Sequence, residues 1–112
     1  MGIEVNGNTI ETNENGYLNN LDDWDKDVAA AIAREEGIEM AERHWDVVNY
    51  LRNEYVDNNA NQPNNRAMVK ELGKMWGEKI STKTLFDLFP GTPSKQAGKV
   101  AGLPESMRKG GY

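Results

Sequence analysis

The most informative segment of this chain is KQAGKVAGLP, which runs from Lys95 to Pro104. Thr92 and Pro93 stand just before it, and a threonine cap followed by proline at the first helical position is a strong start signal for a helix. Gly102 is suited to end that helix, because glycine adopts the left-handed conformation common at helix C-termini. The pattern therefore predicts a last helix that ends near Gly102.

The composition is that of one small polar domain. The chain has 112 residues, of which 38% are hydrophobic and 28% charged, enough for a single modest core. None of the residues is cysteine, which excludes disulfides, thiolate catalysis and zinc–thiolate sites. We predict a single domain over 1–103 and a flexible tail over 104–112, which has nothing to bury.

Charge is distributed unevenly along the chain. Residues 1–65 carry 14 acidic and 4 basic side chains, whereas residues 66–112 carry 4 acidic and 9 basic ones, although the whole chain has a net charge of only −5. Such a chain can present two faces to different partners. Alternatively, the two halves neutralise one another across the fold.

The sequence predicts a cytoplasmic protein with no membrane partner. No apolar run approaches the roughly 18 residues needed to span a bilayer. The opening residues, Met1 to Val5, have neither the basic nor the apolar region of a signal peptide.

A mainly α fold of about five helices is predicted, with an N-terminal β-hairpin and a mobile C-terminal arm. Asn6-Gly7, flanked by alternating apolar residues over 3–10, is typical of a hairpin with a type I′ turn. The polar residues 13–20 then predict a loop.

Apolar spacing and end signals predict four helices before the last one. The first has Asp22 or Asp23 as its cap and stops at Gly37, and its apolar residues, four positions apart, are Trp24, Val28 and Ile32. Two longer helices are predicted over 39–57 and 66–76, and a short one after Ser81.

Several blocks, in order, resemble the DsrC/TusE family of sulfur-relay proteins, whose members are related to the gamma subunit of dissimilatory sulfite reductase. The segment 95–104 is similar to the family's C-terminal arm, which reads roughly KQACRFAGLPKPTGC plus one residue. The other similar blocks are the hairpin at 3–7, Asn15-Gly16-Tyr17-Leu18 with Leu21-Asp22-Asp23-Trp24, residues 42–52 (ERHWDVVNYLR), Pro63-x-x-Arg66 with Lys70, and Leu88-Phe89-Pro90. The resemblance spans nearly the whole chain.

The resemblance implies a small helical domain and a role in sulfur transfer. Family members accept sulfur as a persulfide on the second arm cysteine. One branch passes it along a relay for thiolation of the tRNA wobble uridine, and the other works with dissimilatory sulfite reductase. Here the two cysteine positions are Gly98 and Gly111. Because a thiolate must attack the sulfane sulfur, we expect no sulfur transfer, no catalytic residue and no cofactor.

Basic and amide side chains of the arm and of the helix over 66–76 are the predicted partner-binding residues. Arg66 and Lys70 match basic positions of the family and share one side of their helix with Lys74, for which a solvated role is favoured. The expected partners are proteins of a sulfur-relay or sulfite-reductase system. The predicted set is Arg66, Lys70, Lys95, Gln96, Lys99, Arg108 and Lys109.

A second interpretation is a DNA-binding regulator. The helix over 66–76, the turn at Gly77 and the short helix after Ser81 resemble a helix-turn-helix, and Lys79, Lys83 and Thr84 would then face the major groove. Two short helices joined by a glycine-containing turn are also ordinary in helical domains, so this pattern is weakly specific.

His44 is the only histidine. It has no cysteine, aspartate or glutamate at metal-ligand spacing, and no Ser/His/Asp arrangement is recognisable. A role in helix packing is therefore predicted rather than a metal or catalytic site.

The leading hypothesis is a partner-binding or regulatory paralogue of the sulfur relay that cannot itself carry sulfur. The alternatives are the DNA-binding regulator and a scaffold in the tRNA-thiolation or sulfite-reductase complex, where a partner supplies the thiol.

Overall fold

Residues 2–105, which the computed structural model describes, form a β-hairpin followed by five α-helices and confirm the predicted fold class. The hairpin strands are β1 (Gly2–Val5) and β2 (Asn8–Glu11). The helices are α1 (Lys26–Glu35), α2 (Glu42–Asp57), α3 (Asn65–Trp76), α4 (Thr82–Leu88) and α5 (Pro93–Val100). Most of the predicted tail, including Arg108, Lys109 and Gly111, lies outside the described residues.

The hairpin forms as the sequence predicts. Val5 pairs with Asn8 across an antiparallel ladder, and the turn residues Asn6 and Gly7 have φ angles of 51° and 83°. These positive angles at both central positions are those of a type I′ turn. A two-stranded hairpin is marginal alone, and here β1 packs against α1, with Val5 buried.

The predicted start of the first helix is wrong. Residues Leu21–Asp23 form a separate 3-10 turn capped by Asn20, and Trp24 is extended. The helix begins at Lys26, because the Asp25 carboxylate accepts a hydrogen bond of 2.8 Å from the Val28 N–H and so caps it. The predicted stop is confirmed, since Gly37 has a φ of 74°.

The other helices match the prediction more closely. α2 begins three residues later than expected, at Glu42, where the Ala41 N–H donates to Nδ1 of His44 at 3.1 Å. α3 is capped by Asn64 and ends at Gly77 in the left-handed conformation. Ser81 is the N-cap residue of α4, and Pro93 opens α5 as predicted. The predicted threonine cap is wrong, because Thr92 has a φ of 73° and its side chain makes no cap hydrogen bond.

Helix α5 lies at the centre of the fold and packs against α1, α2, α3 and α4. Burying an apolar side chain fully contributes roughly 1.5–3 kcal/mol before the entropy of ordering it is subtracted, so this helix is a main contributor to the core. Its fully buried residues include Pro93, Ala97 and Val100, and the buried residues Ala101 and Leu103 follow them. The core residues around them are Val28, Ile32, Val47, Val48, Leu51, Met68, Leu72, Leu85 and Phe89.

The C-terminus of α5 ends in a Schellman motif. The Gly102 N–H donates to the Lys99 carbonyl and the Leu103 N–H donates to the Gly98 carbonyl, both at 3.0 Å. Gly102 has a φ of 73°, so the motif depends on a residue without a Cβ.

Two side chains from elsewhere bind the next two carbonyls. Nε1 of Trp24 donates to the Val100 carbonyl at 2.8 Å, and Nη1 of Arg52 donates to the Ala101 carbonyl at 2.7 Å. The Arg52 guanidinium also lies over the Trp24 ring, 4.0 Å from its centroid. Trp24 and Arg52 thus satisfy carbonyls that helix geometry leaves open.

Gly102→Ala is expected to destabilise the fold by about 2–4 kcal/mol, because the left-handed conformation costs an alanine about 1–2 kcal/mol and overpacking adds a similar amount. A Cβ at Gly102 would lie 2.4 Å from the Trp24 ring. Urea unfolding followed by tryptophan fluorescence measures the loss.

Gly37→Ala is the matched control. Gly37 has a similar φ of 74°, but a Cβ there meets nothing within 4 Å. Its loss should therefore be only about 1–2 kcal/mol. Equal losses in the two variants would contradict the close contact between Gly102 and Trp24.

His44 joins the start of α2 to the end of α4. Its Nδ1 accepts from Ala41, so its Nε2 carries the proton and donates to the Leu88 carbonyl at 3.0 Å. The ring packs edge-on against Phe89, with 5.2 Å between centroids. Burial lowers the pKa of His44 from its ordinary value of 6.5, and the bond to Leu88 opposes that shift.

The free energy of unfolding should fall as the pH drops below the unfolded pKa of His44, about 6.5, and through its lower folded pKa. In that window the unfolded chain binds the proton more readily than the folded one. Urea titrations at several values from about pH 7.5 to about pH 5.5 measure this slope.

His44→Gln retains an amide at this position and cannot titrate. A flatter slope over the same window is expected for this variant. An unchanged slope would contradict the assignment to His44.

Candidate functional site

The candidate site is the arm helix α5 and the surface around it. Gly98 lies within α5 with ordinary helical backbone, two residues before the helix ends at Val100, and it is buried. A Cβ built at Gly98 meets nothing within 4 Å. A side chain of the size of cysteine would therefore fit at this position.

Gln96 and Lys99 are largely buried and contact Glu36 at the end of α1. Lys99 Nζ lies 3.2 Å from Oε2 of Glu36, with the two side chains only 16% and 25% exposed. Nε2 of Gln96 donates to Oε1 of Glu36 at 3.2 Å, and its Oε1 accepts from the Gly91 N–H at 2.7 Å. These two predicted partner-binding residues hold α5 on α1 in the structure described here.

Tyr17 covers the same cluster. Its ring lies 5.1 Å from Nζ of Lys99, and its hydroxyl donates to the Lys95 carbonyl at 3.4 Å. Burial raises the pKa of Tyr17, and the charges of Glu105 and Glu36 raise it further. The phenol therefore stays protonated at neutral pH and serves as a hydrogen-bond donor.

The first tail residues lie against the loop that precedes Tyr17. The Glu105 carboxylate accepts from the side-chain amides of Asn13 at 3.0 Å and Asn15 at 2.8 Å. The Pro104 carbonyl accepts from Gln62 at 3.3 Å. The path of the chain as it leaves α5 is thus set by three polar side chains.

The predicted basic residues of α3 lie on its solvent side. Arg66, Lys70 and Lys74 are exposed at intervals of four residues. The Ser94 N–H donates to Oδ1 of Asn65 at 2.9 Å, which places the start of α3 beside the start of α5. Arg66 follows Asn65 along α3, and Lys95 is partly exposed on α5.

The residues of the helix-turn-helix interpretation have carboxylates beside them. Lys83 Nζ is 3.2 Å from the Asp87 carboxylate on the same helix, and exposed Lys79 follows Glu78. Thr84 is half-buried, and its Oγ1 accepts from the Ser81 N–H at 3.3 Å. α3 packs on α4, but the Asp87 carboxylate offsets the charge of Lys83 and so weakens the positive potential that phosphates require, whereas Glu78 is paired with Arg43. DNA binding stays a prediction.

Within residues 2–105, no group of three or more histidine, aspartate and glutamate side chains is arranged to hold a metal ion. In that same part of the chain, none of the helices has the length and apolar character needed to cross a membrane.

Sequence reasoning missed Trp24, Arg52 and Glu36 as the residues that position α5. The sequence pattern places Trp24 in the first helix, and Arg52 lies off the apolar stripe of α2. The sequence marks Trp24 and Arg52 only by placing them in blocks that resemble the sulfur-relay family. It gives no such sign for Glu36.

Comparisons with known proteins agree with this geometry. The family described as "DsrC like protein" matches residues 4–108. Sulfurtransferase TusE of Sodalis glossinidius (strain morsitans) is 43% identical over 107 residues, which cover 95% of this chain and 98% of the relative.

Solved structures give the same result. Allochromatium vinosum DsrC is 40% identical with a TM-score of 0.86, and the alignment covers 96% of each chain. The oxidized gamma subunit of the dissimilatory sulfite reductase (DsrC) from Archaeoglobus fulgidus is 31% identical with a TM-score of 0.87, over 96% of this chain and 98% of that one. The resemblance carried by the arm and the other blocks is confirmed: this chain belongs to the DsrC/TusE family of sulfur-relay proteins, as a member without cysteine.

Proposed function

We propose that this chain binds protein partners of its cysteine-bearing relatives, as a regulator or competitor, and does not carry sulfur itself. The observation that carries the proposal is Gly98, which stands at a cysteine position in an arm helix that is otherwise retained and tightly held. The relatives are named as a sulfurtransferase and as a subunit of a sulfite reductase, so the proposed partners are proteins of such systems.

Persulfide chemistry needs a sulfur nucleophile that this sequence lacks. A thiolate attacks the sulfane sulfur and keeps it through a new S–S bond. The chain contains five methionines and no cysteine. A thioether has no proton to lose and forms no persulfide, so methionine cannot replace the missing thiol.

Packing does not require glycine at position 98. Gly98 has helical backbone and open space at its Cβ, whereas Gly102, four residues later, has a positive φ and a close neighbour. The replacement of cysteine by glycine therefore removes the thiol, although the fold still has space for a cysteine side chain at this position. This supports loss of sulfur transfer with retention of the binding surface.

The proposed partner surface comprises the exposed basic residues near the arm helix. Arg66 and Lys70 of α3 are exposed, and Lys95 is partly exposed. Arg108 and Lys109, outside the described residues, belong to the same proposal. Gln96 and Lys99 serve it indirectly by positioning α5.

Incubation with a persulfide-loaded sulfurtransferase should leave the mass of this protein unchanged, because no thiolate is present to accept sulfur. Intact-mass spectrometry measures this, with a cysteine-bearing TusE relative as the positive control. Gly111→Cys, at the position of the family's sulfur-carrying cysteine, is expected to gain one sulfur atom. A stable gain of one sulfur by the unaltered chain would disprove the proposal.

An excess of this protein should slow sulfur transfer from a loaded donor to a cysteine-bearing relative, since both compete for the same partner. Transfer is followed by the mass of the relative, with Arg66→Glu/Lys70→Glu as the variant that should lose the effect. A scaffold would instead accelerate transfer. Acceleration would therefore favour the scaffold and contradict competition.

Gly98→Ala should raise the free energy of unfolding by about 0.5–1 kcal/mol, because glycine inside a helix is less favourable than alanine by that amount. Urea unfolding measures it, and the same change at Gly102 should have the opposite sign. A clear loss of stability in Gly98→Ala would show that packing requires glycine at this position.

A further inference from the structure

A groove along the second half of α3 shares Lys70 with the proposed partner surface and otherwise has its own lining. It lies between the second half of α3 and residues 77–80, and it has a volume of about 590 Å³. Its floor is formed by Val69, Gly73 and Ile80, and its rim carries Lys70, Lys74 and Lys79, together with Gly77 and Glu78.

Glycine at position 73 shapes the groove. A Cβ there would lie 3.0 Å from the Glu78 carbonyl oxygen and 3.7 Å from Cγ1 of Ile80. The Glu78 N–H donates to the Gly73 carbonyl at 3.1 Å, so the backbone after α3 turns back along the helix. Ile80 is thereby placed beside α3.

The floor is apolar and only partly covered. Val69 and Ile80 pack against the core on one side, yet both remain partly exposed on the other. Val69 and Ile80 therefore present a small apolar surface bordered by charged side chains.

The rim is positively charged, although the whole chain has a net charge of −5. Lys70 and Lys79 are exposed, and Lys74 has only a long contact of 3.8 Å with Glu71. The Glu78 carboxylate forms an ion pair with Arg43, whose guanidinium lies over the Trp76 ring, 4.4 Å from its centroid. Arg43 thus neutralises the carboxylate that lines the groove among residues 2–105.

We propose that this groove binds an acidic, amphipathic helical segment of a partner protein. From Val69 to Gly77 it extends about 12 Å along α3, which matches about two turns of a bound helix. Two apolar residues one turn apart would contact Val69 and Ile80, and glutamates flanking them would reach the lysines of the rim. The inference rests on the proposed partner-binding function and adds the chemistry of the partner.

Nucleic acid fits these features less well. Phosphates would use the lysines but would leave the apolar floor formed by Val69 and Ile80 without a matching group. An amphipathic peptide uses both.

The test is a titration with a fluorescein-labelled synthetic peptide of about four helical turns, with leucines on one face and glutamates beside them. Fluorescence anisotropy should show saturable binding that weakens with salt. Amide chemical shifts of Val69, Gly73 and Ile80 should move in NMR spectra. Lys70→Glu/Lys79→Glu should weaken binding about tenfold, by turning exposed ion pairs into repulsions.

Lys83→Glu is the matched control, because Lys83 is exposed but does not line the groove. It should change peptide affinity less than about twofold. A peptide of the same composition with its leucines and glutamates scrambled should bind clearly more weakly.

Several results would overturn the proposal. These are no binding, equal binding of the scrambled peptide, shifts confined to other residues, or insensitivity to Lys70→Glu/Lys79→Glu. Tighter binding of a duplex DNA oligonucleotide that is lost in Lys83→Glu would replace it with the helix-turn-helix interpretation. The sulfur-loading and transfer assays contain no peptide, so they test the proposed function separately.

Discussion

The fold depends on how the C-terminus of α5 is closed. The Gly98 and Lys99 carbonyls accept from the backbone of Leu103 and Gly102, and the next two carbonyls accept from Trp24 and Arg52. Because this helix end is buried, removal of either side chain would leave a carbonyl without a partner, which costs roughly 1–3 kcal/mol. Burial also lowers the pKa of Arg52, with Asp22 opposing the shift, yet an arginine remains charged at neutral pH. The last helix in the sequence is therefore fixed by two residues far from it along the chain.

This closure gives the two glycines of the arm opposite roles. Gly102 is required, because its positive φ and the Trp24 ring exclude a side chain. Glycine is not required at position 98. Only the backbone carbonyl of Gly98 takes part in closing the helix, and a Cβ on this residue would meet no atom within 4 Å. A glycine where relatives have the first arm cysteine can be required by packing or merely allowed by it, and the structure at Gly98 allows it without requiring it. The proposal of a chain that keeps the arm but not its chemistry rests on that difference.

Local sequence signals predict most of the helices and strands. Tertiary contacts determine the start of α1, the pairing of the lysines and the groove beside α3, which the sequence alone does not reveal. Asn6-Gly7, Ser81 and Pro93 stand at the positions their residue types favour, so the hairpin and the starts of α4 and α5 were predictable. Thr92 is an exception, because its φ is 73° and its side chain makes no cap hydrogen bond. The first helix was misplaced because several aspartates compete as caps between 22 and 27, and Trp24 leaves the helix to reach α5. Nor does a sequence distinguish a lysine that is paired from one that is free. The groove beside α3 was also hidden, since its floor brings Gly73 and Ile80 together only after the chain turns at Gly77.

The uneven charge along the chain had two interpretations, and the structure pairs charges of the two halves at some positions and leaves lysines exposed at others. Lys99 pairs with Glu36, and Glu78 pairs with Arg43, so some charges of the two halves neutralise one another across the fold. The lysines at positions 70 and 79 face solvent instead. A paired, largely buried lysine such as Lys99 contributes to the position of α5 and has little charge left for a partner. An exposed lysine contributes little to stability, so its charge is available for recognition. Ion pairing therefore distinguishes the lysine that holds α5 in place from the exposed lysines that are proposed to bind a partner protein. It also explains how a chain with a net negative charge has a basic surface along α3.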